Sequence, residues 1–177
     1  MINIKAGAID LDGESTGSAV DNTYVYENTF FDDVNGPSVD GHRIVSIYQK
    51  SGHVTFKNNI IYSTYTKGLL RVESMTNKVL DNNLYYWDAS VTSPFHHSGT
   101  NVTSLTNWKT WTGQEANSIQ GDPLFTKNGS NFSLQSNSPA IDLGTTLGNP
   151  FNIDILGIIR PQNTRYDAGA YEYSYKK

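Results

Sequence analysis

Cysteine is absent from the 177 residues, so disulfides and thiolate metal sites are excluded and the redox compartment is left open. Charge is sparse as well. Asp, Glu, Lys and Arg make up 17% of the chain, the formal net charge is −4, and the basic residues are scattered. Nucleic acid needs a clustered cationic face, so it is not expected as a partner. No apolar run approaches the roughly 18 residues of a membrane span, and none is expected to meet a membrane. Met1 to Gly7 lacks the basic and apolar blocks of a signal peptide, which leaves the compartment unknown. Helix-forming runs are scarce. A length of 177 residues is enough to bury a real core in a single unit.

What is plentiful is aromatic. Phe, Trp and Tyr reach 12%, with 11 Tyr, and such residues fit pleated sheet surfaces. The chain also repeats itself. Glu27-Asn28-Thr29-Phe30-Phe31, Asn58-Asn59-Ile60-Ile61-Tyr62 and Asn82-Asn83-Leu84-Tyr85-Tyr86 each follow an alternating, strand-like run. Taking Asn28, Asn59 and Asn83 as equivalent gives periods of 31 and 24 residues. Periods of roughly 20 to 50 mark stacked architectures, in which one repeat cannot bury its apolar face alone.

Stacking demands that equivalent positions match in kind. Three residues before each Asn stand Val25, Phe56 and Leu80; two after stand Phe30, Ile61 and Tyr85. Two apolar rows therefore flank one amide row. An amide side chain both donates and accepts, so stacked Asn residues can bond one another and a turning backbone, predicting an internal Asn ladder at a corner. Second strands are expected at Ile44-Val45-Ser46-Ile47-Tyr48 and Leu69-Leu70-Arg71-Val72-Glu73, with Leu70 and Val72 on one face and Arg71 and Glu73 on the other. Ala8-Ile9-Asp10-Leu11 suggests a partial first turn of the repeat. After Trp87 the repeat stops, and Ser104 to Trp111 reads as a short helix capped by Ser104 or Thr103 and ended by Gly113.

Turn signals alternate with apolar patches thereafter: Gly121-Asp122-Pro123-Leu124-Phe125, Asn131-Phe132-Ser133-Leu134, Ser138-Pro139-Ala140-Ile141-Asp142 and Asp167-Ala168-Gly169-Ala170-Tyr171-Glu172-Tyr173. With Asn117-Ser118-Ile119, Gly157 and Arg160, this series resembles the C-terminal part of bacterial right-handed parallel β-helix proteins of the pectate lyase-like superfamily. The resemblance runs from about Tyr24 to Tyr173. It implies an all-β fold: a short right-handed parallel β-helix of about three coils over residues 1–90, then a loop-rich capping extension over 91–177 with one short helix. It further implies that these motif residues are structural, and that the protein is extracellular or on a cell surface. An unpaired coil end is a template for edge association unless covered. The first coil has no evident cover in the sequence, so a homo-oligomer through it is an open expectation.

Three functions fit that frame: a non-catalytic module binding an extended polysaccharide, a small lyase for a uronate polymer, and a structural rod of an adhesin or phage fibre. A lyase needs a cation against the uronate carboxylate and a base for the adjacent proton. Arg71 would supply the first and Lys50 or Lys67 the second. For binding, outward Tyr24, Tyr26, Tyr48, Arg43, Arg71 and Glu73 are the candidates, since sugar rings stack on exposed aromatics. Tyr62, Tyr65, Tyr86, Trp87, Trp108 and Trp111 are expected mostly beneath the cap. No cofactor is expected. Asp10-Leu11-Asp12-Gly13-Glu14 has the oxygen-rich spacing of half a calcium loop but lacks the later ligands. His96 and His97, adjacent in an extended segment, point to opposite faces and make poor joint ligands. Asn101-Val102-Thr103, Asn128-Gly129-Ser130 and Asn131-Phe132-Ser133 match glycosylation acceptors, as an Asn-rich chain does by chance.

Overall fold

The structure is a computed structural model describing residues 9–11, 22–32, 43–48, 52–64 and 68–175. Its elements are mostly strands. In chain order they are β1 (Ile9–Leu11), β2 (Thr23–Tyr26), β3 (Thr29–Asp32), β4 (Val45–Ile47), β5 (Val54–Lys57), β6 (Ile60–Ser63), β7 (Leu70–Val72), β8 (Lys78–Asp81), β9 (Leu84–Trp87), β10 (Phe95–His97), β11 (Thr100–Val102), α1 (Leu105–Thr112), β12 (Ile119–Gln120), β13 (Phe125–Lys127) and β14 (Asn131–Leu134).

Three sheets form by parallel pairing. The first orders β1-β4-β7-β10, with β11 added antiparallel at its edge; the second orders β2-β5-β8; the third orders β12-β9-β6-β3. The chain visits them in rotation, so strands three apart in sequence are neighbours. Register places Val25, Phe56 and Leu80 side by side, and likewise Phe30, Ile61 and Tyr85, as the repeat requires. All six are buried in one core with Val45, Ile47, Leu70, Val72 and Phe95 of the first sheet. Each such large apolar side chain contributes on the order of 1.5–3 kcal/mol by leaving water.

Corners between the second and third sheets explain the Asn row. Glu27, Asn58 and Asn82 each have φ 57, a left-handed conformation that Asn tolerates better than most residues. The next residue then turns its side chain inward. Asn59 Oδ1 accepts from the Asn28 backbone N–H at 3.0 Å and from Asn28 Nδ2 at 3.2 Å. Asn83 Oδ1 accepts in the same way from Asn59, at 3.0 and 3.1 Å. Asn59 Nδ2 also donates to the carbonyls of Val25 and Lys57, both at 2.9 Å. Every polar atom of the Asn59 side chain is thereby bonded at zero exposure.

The row continues one step past the sequence reading. Ser118 Oγ accepts from the Asn83 backbone N–H at 2.8 Å, and β12 beside β9 extends the third sheet. Phe95 and His97 of β10 extend the first sheet in parallel with Leu70 and Val72. Parallel pairing therefore persists beyond Trp87, where the sequence repeat stops, because Ser replaces Asn and a helix is inserted between. That helix is capped by Ser104, whose side chain accepts from Asn107 N–H, and ends at Gly113 with φ 65. Its buried Trp108 stacks on Phe95 at 5.1 Å, closing that end of the core.

The C-terminal segment covers the outer face of the third sheet. Phe31, Tyr62 and Tyr86 stack ring on ring there, at 4.5 and 4.6 Å, under Phe125 and Phe132 of the antiparallel β13–β14 pair. Asn58, at its left-handed corner, bonds Thr145 through both amide atoms, and Asn82 Nδ2 donates to Leu143 O at 3.0 Å. At Gly169, with φ 91, a Cβ would lie 2.7 Å from Ile60 Cδ1 and 2.8 Å from Thr29 Oγ1. Only glycine permits both that backbone and that approach.

Candidate functional site

Period two on the first sheet turns Val45, Ile47, Leu70, Val72 and Phe95 into the core and sends the residues between them outward. Register then lines these up across the strands: Asp10, Ser46, Arg71, His96 and Asn101. Arg71 Nε bonds Glu73 Oε1, and its guanidinium carbon lies 5.0 Å over the Tyr48 ring. Such a cation–π contact adds roughly 0.5–1 kcal/mol at an exposed site. Glu73 Oε1 is also 3.4 Å from His96 Nε2.

On the other side of His96, Nδ1 is 3.1 Å from Asn101 Oδ1, which accepts from Arg43 Nη2 at 2.8 Å. A guanidinium can only donate, so the amide oxygen faces both partners and His96 Nδ1 is placed to donate to it. Arg43 is 9% exposed, and burial, aided by the neighbouring Arg71 charge, lowers its pKa from the usual arginine value. Gly68 makes room for it: a Cβ there would fall 2.5 Å from Arg43 Nε and 2.6 Å from Ser93 O.

Four of the expected binding residues, Arg43, Tyr48, Arg71 and Glu73, thus share one face. Tyr24 and Tyr26 do not join them. They lie on β2 of the second sheet, 5.6 Å apart by ring centre; Tyr24 is 61% exposed, whereas Tyr26 packs edge-on against Phe151 at 5.2 Å. Burial raises the Tyr26 pKa above its usual value. Lys50 and Lys67, the proposed bases, and Tyr65 lie outside the described residues, as do Asp12, Gly13 and Glu14 of the oxygen-rich run. Among the described residues no group of three His, Asp or Glu side chains is arranged to hold a metal. No helix among them is long and apolar enough to cross a membrane.

The two histidines point apart as alternation demands. His97 bonds Val72 O at 2.8 Å and faces Trp108 and Trp111, leaving His96 alone on the outer face. Sequence reasoning missed His96 and Asn101 as members of the site. Alternation in Phe95-His96-His97 carried the orientation, but only the pairing of β10 with β7 sets His96 beside Arg71.

A second concentration of charge lies where the C-terminal segment meets the sheets. Arg160, 3% exposed, donates to the carbonyls of Asp167 and Gly169 at 3.0 and 2.8 Å, with Glu172 at 3.3 Å and Glu27 at 3.6 Å. Asp154, Asp167 and Glu172 each accept backbone N–H groups of this segment. Burial pushes Glu27 and Asp167 up to about 7 and raises Glu172, Arg160 opposing in each case. Glu115, fully buried, accepts from Asn83 Nδ2 at 3.0 Å, from Tyr85 Oη at 2.5 Å and from Ser118 Oγ. Burial raises its pKa as well. These carboxylates are consumed in holding backbone and side chains together, which fits a structural role.

Compared with protein-family models, with curated proteins and with solved structures, the chain has no match in any of the three.

Proposed function

We propose that the three parallel sheets are the walls of a short right-handed β-helix of about three coils, and that the outer face of the first sheet binds an extended polysaccharide without transforming it. Rotation of the chain through three sheets, the in-register apolar rows and the amide row support the architecture. The likeness of the C-terminal motifs to pectate lyase-like proteins points the same way.

One observation carries the binding reading: Arg43, Tyr48, Arg71, Glu73, His96 and Asn101 converge on one side of the first sheet. A guanidinium beside a carboxylate presents donors and acceptors together, the complement of neighbouring sugar hydroxyls. Tyr48 adds a ring. Affinity electrophoresis in gels containing alginate, pectate, xylan or β-glucan tests this. Retardation by at least one polymer, reduced in Arg71→Ala and Glu73→Ala, is expected. Mobility unchanged in every gel would remove the reading and leave the rod.

His96 gives the lyase reading its specific support, because an imidazole nitrogen stands beside the Arg71–Glu73 pair where a base would be wanted. Incubation with alginate and pectate, following absorbance of the unsaturated product, decides it. A signal at high protein load that vanishes in His96→Ala would make the protein an enzyme.

A further inference from the structure

We infer that the cleft between β11 and α1 is a subsite for one uncharged sugar ring of the bound glycan, with Trp111 as its stacking surface and Asn101 joining it to the polar face of the first sheet. The inference rests on the glycan reading above and names the chemistry of one position in it.

Trp111 is the first ground. It sits in the last turn of α1 with 53% of its surface exposed, while Leu105 and Trp108 of the same helix are buried. The exposed indole is nonetheless held. Its helix is capped at both ends, Trp108 is stacked on Phe95, and the His97 ring meets Trp111 at 6.1 Å and 67°. A large ring kept rigid in water loses little conformational entropy when a ligand covers it.

The lining is the second ground. The cleft encloses about 410 Å³, within the roughly 300–1,000 Å³ of small-ligand sites. Thr100, Asn101, Thr103, Asn107 and Thr110 surround the indole. All are hydroxyls and amides. Among the described residues no charged side chain borders it, so its lining suits a ring of hydroxyl groups over an apolar face better than a carboxylate.

Asn101 is the third ground. Its oxygen accepts from Arg43 and faces His96, so the same amide that orders the polar face also lines the cleft. Among the described residues its Nδ2 donors meet no acceptor, which leaves them for a ligand oxygen. The charges of the face stand back from the cleft: Arg71 pairs with Glu73, Arg43 is 9% exposed with Nη2 on Asn101, and neither guanidinium is among the described residues that line it.

Tryptophan fluorescence tests this directly. Trp108 is fully buried and Trp87 partly so, which leaves Trp111 as the solvent-facing indole of the three. The folded protein is titrated with cellohexaose, xylohexaose and mannohexaose as neutral probes, and with hexamers of alginate and polygalacturonate as charged ones. At least one neutral hexamer is expected to give a saturable spectral change and to shield the indole from acrylamide. Trp111→Ala should then lose about ten-fold in affinity or more, measured by calorimetry. Trp111→Phe should retain part of it, and the circular dichroism and melting temperature of both should match the parent. Binding sensitive to Arg71→Ala yet indifferent to Trp111→Ala would overturn the subsite while leaving the glycan face standing. Preference for the charged hexamers would overturn its neutral character. Silence towards all five would remove both.

Discussion

The outer faces of the first and third sheets are built by the same rule and end in opposite states. On the third, Phe31, Tyr62 and Tyr86 follow one another across the strands; on the first, Ser46, Arg71 and His96 do. Alternation turns both rows away from the common core. The aromatic row is then covered by Phe125, Phe132 and Leu134 and becomes a second core. The polar row holds a cation and an imidazole that share Glu73 and Asn101 as partners, and its Ser46 is fully buried. Facing outward from a sheet is therefore not the same as facing water. The difference is made by a segment more than sixty residues further along, as the Asn128 contact to Tyr62 Oη illustrates.

If the third face is structural and the first functional, substitutions should separate stability from binding. Tyr62→Ala, which empties the middle of the aromatic stack, should cost about 3–5 kcal/mol in urea unfolding. It should leave glycan binding intact in whatever fraction stays folded. A loss under about 1 kcal/mol would mean that the cover does not seal that face.

Asn59→Ala tests the corner on which both faces depend. It strips donors from Val25 O and Lys57 O and the acceptor from Asn28 N–H, each buried loss worth roughly 1–3 kcal/mol. About 3 kcal/mol is expected, and an unchanged denaturation midpoint would show that water replaces the amide.

Protons should sharpen the contrast too. Glu27 and Asp167 sit near 7 when folded, against ordinary values of 4.5 and 3.8. The folded state holds their protons more tightly, so their contribution is complete below those ordinary values. It drains away as pH rises towards and through about 7. Arg160 and Glu172 are the charged groups that act on both, and Asp142 and Asp154 act next to Glu172. The melting temperature should fall between about pH 5 and pH 8, and fall less in Glu27→Gln. Parallel curves for the two proteins would assign the effect elsewhere.

Arg71→Ala should be the mildest in stability, within about 1 kcal/mol, since a partly exposed ion pair contributes little. It should nevertheless weaken glycan retardation. A large stability loss would instead make the polar row a brace.

Much of this frame was readable beforehand because stacking forces like to lie on like. Asn28, Asn59 and Asn83 announced themselves with their apolar neighbours, and Leu70 and Val72 opposite Arg71 and Glu73 followed from alternation alone. Ser118 escaped because a hydroxyl replaces the amide and α1 intervenes, although Asn117-Ser118-Ile119 echoes Asn58-Asn59-Ile60. Tyr24 and Tyr26 were correctly oriented outward, but orientation does not say which wall a strand belongs to, and they lie on another sheet from Arg71. His96 shows the same limit, since its neighbour across the sheet is 25 residues away.

By itself the sequence determined which side chains point inward, where the backbone turns sharply and which amides stand in a row. Those are local consequences of a two-residue period and of Asn tolerating a left-handed corner. Only the tertiary structure decided which outward row is sealed under apolar chain, and it gathered Arg43, Arg71, Glu73, His96 and Asn101 into one place. Strand register and the path of a covering segment depend on contacts between residues far apart in the chain, and no local pattern encodes them.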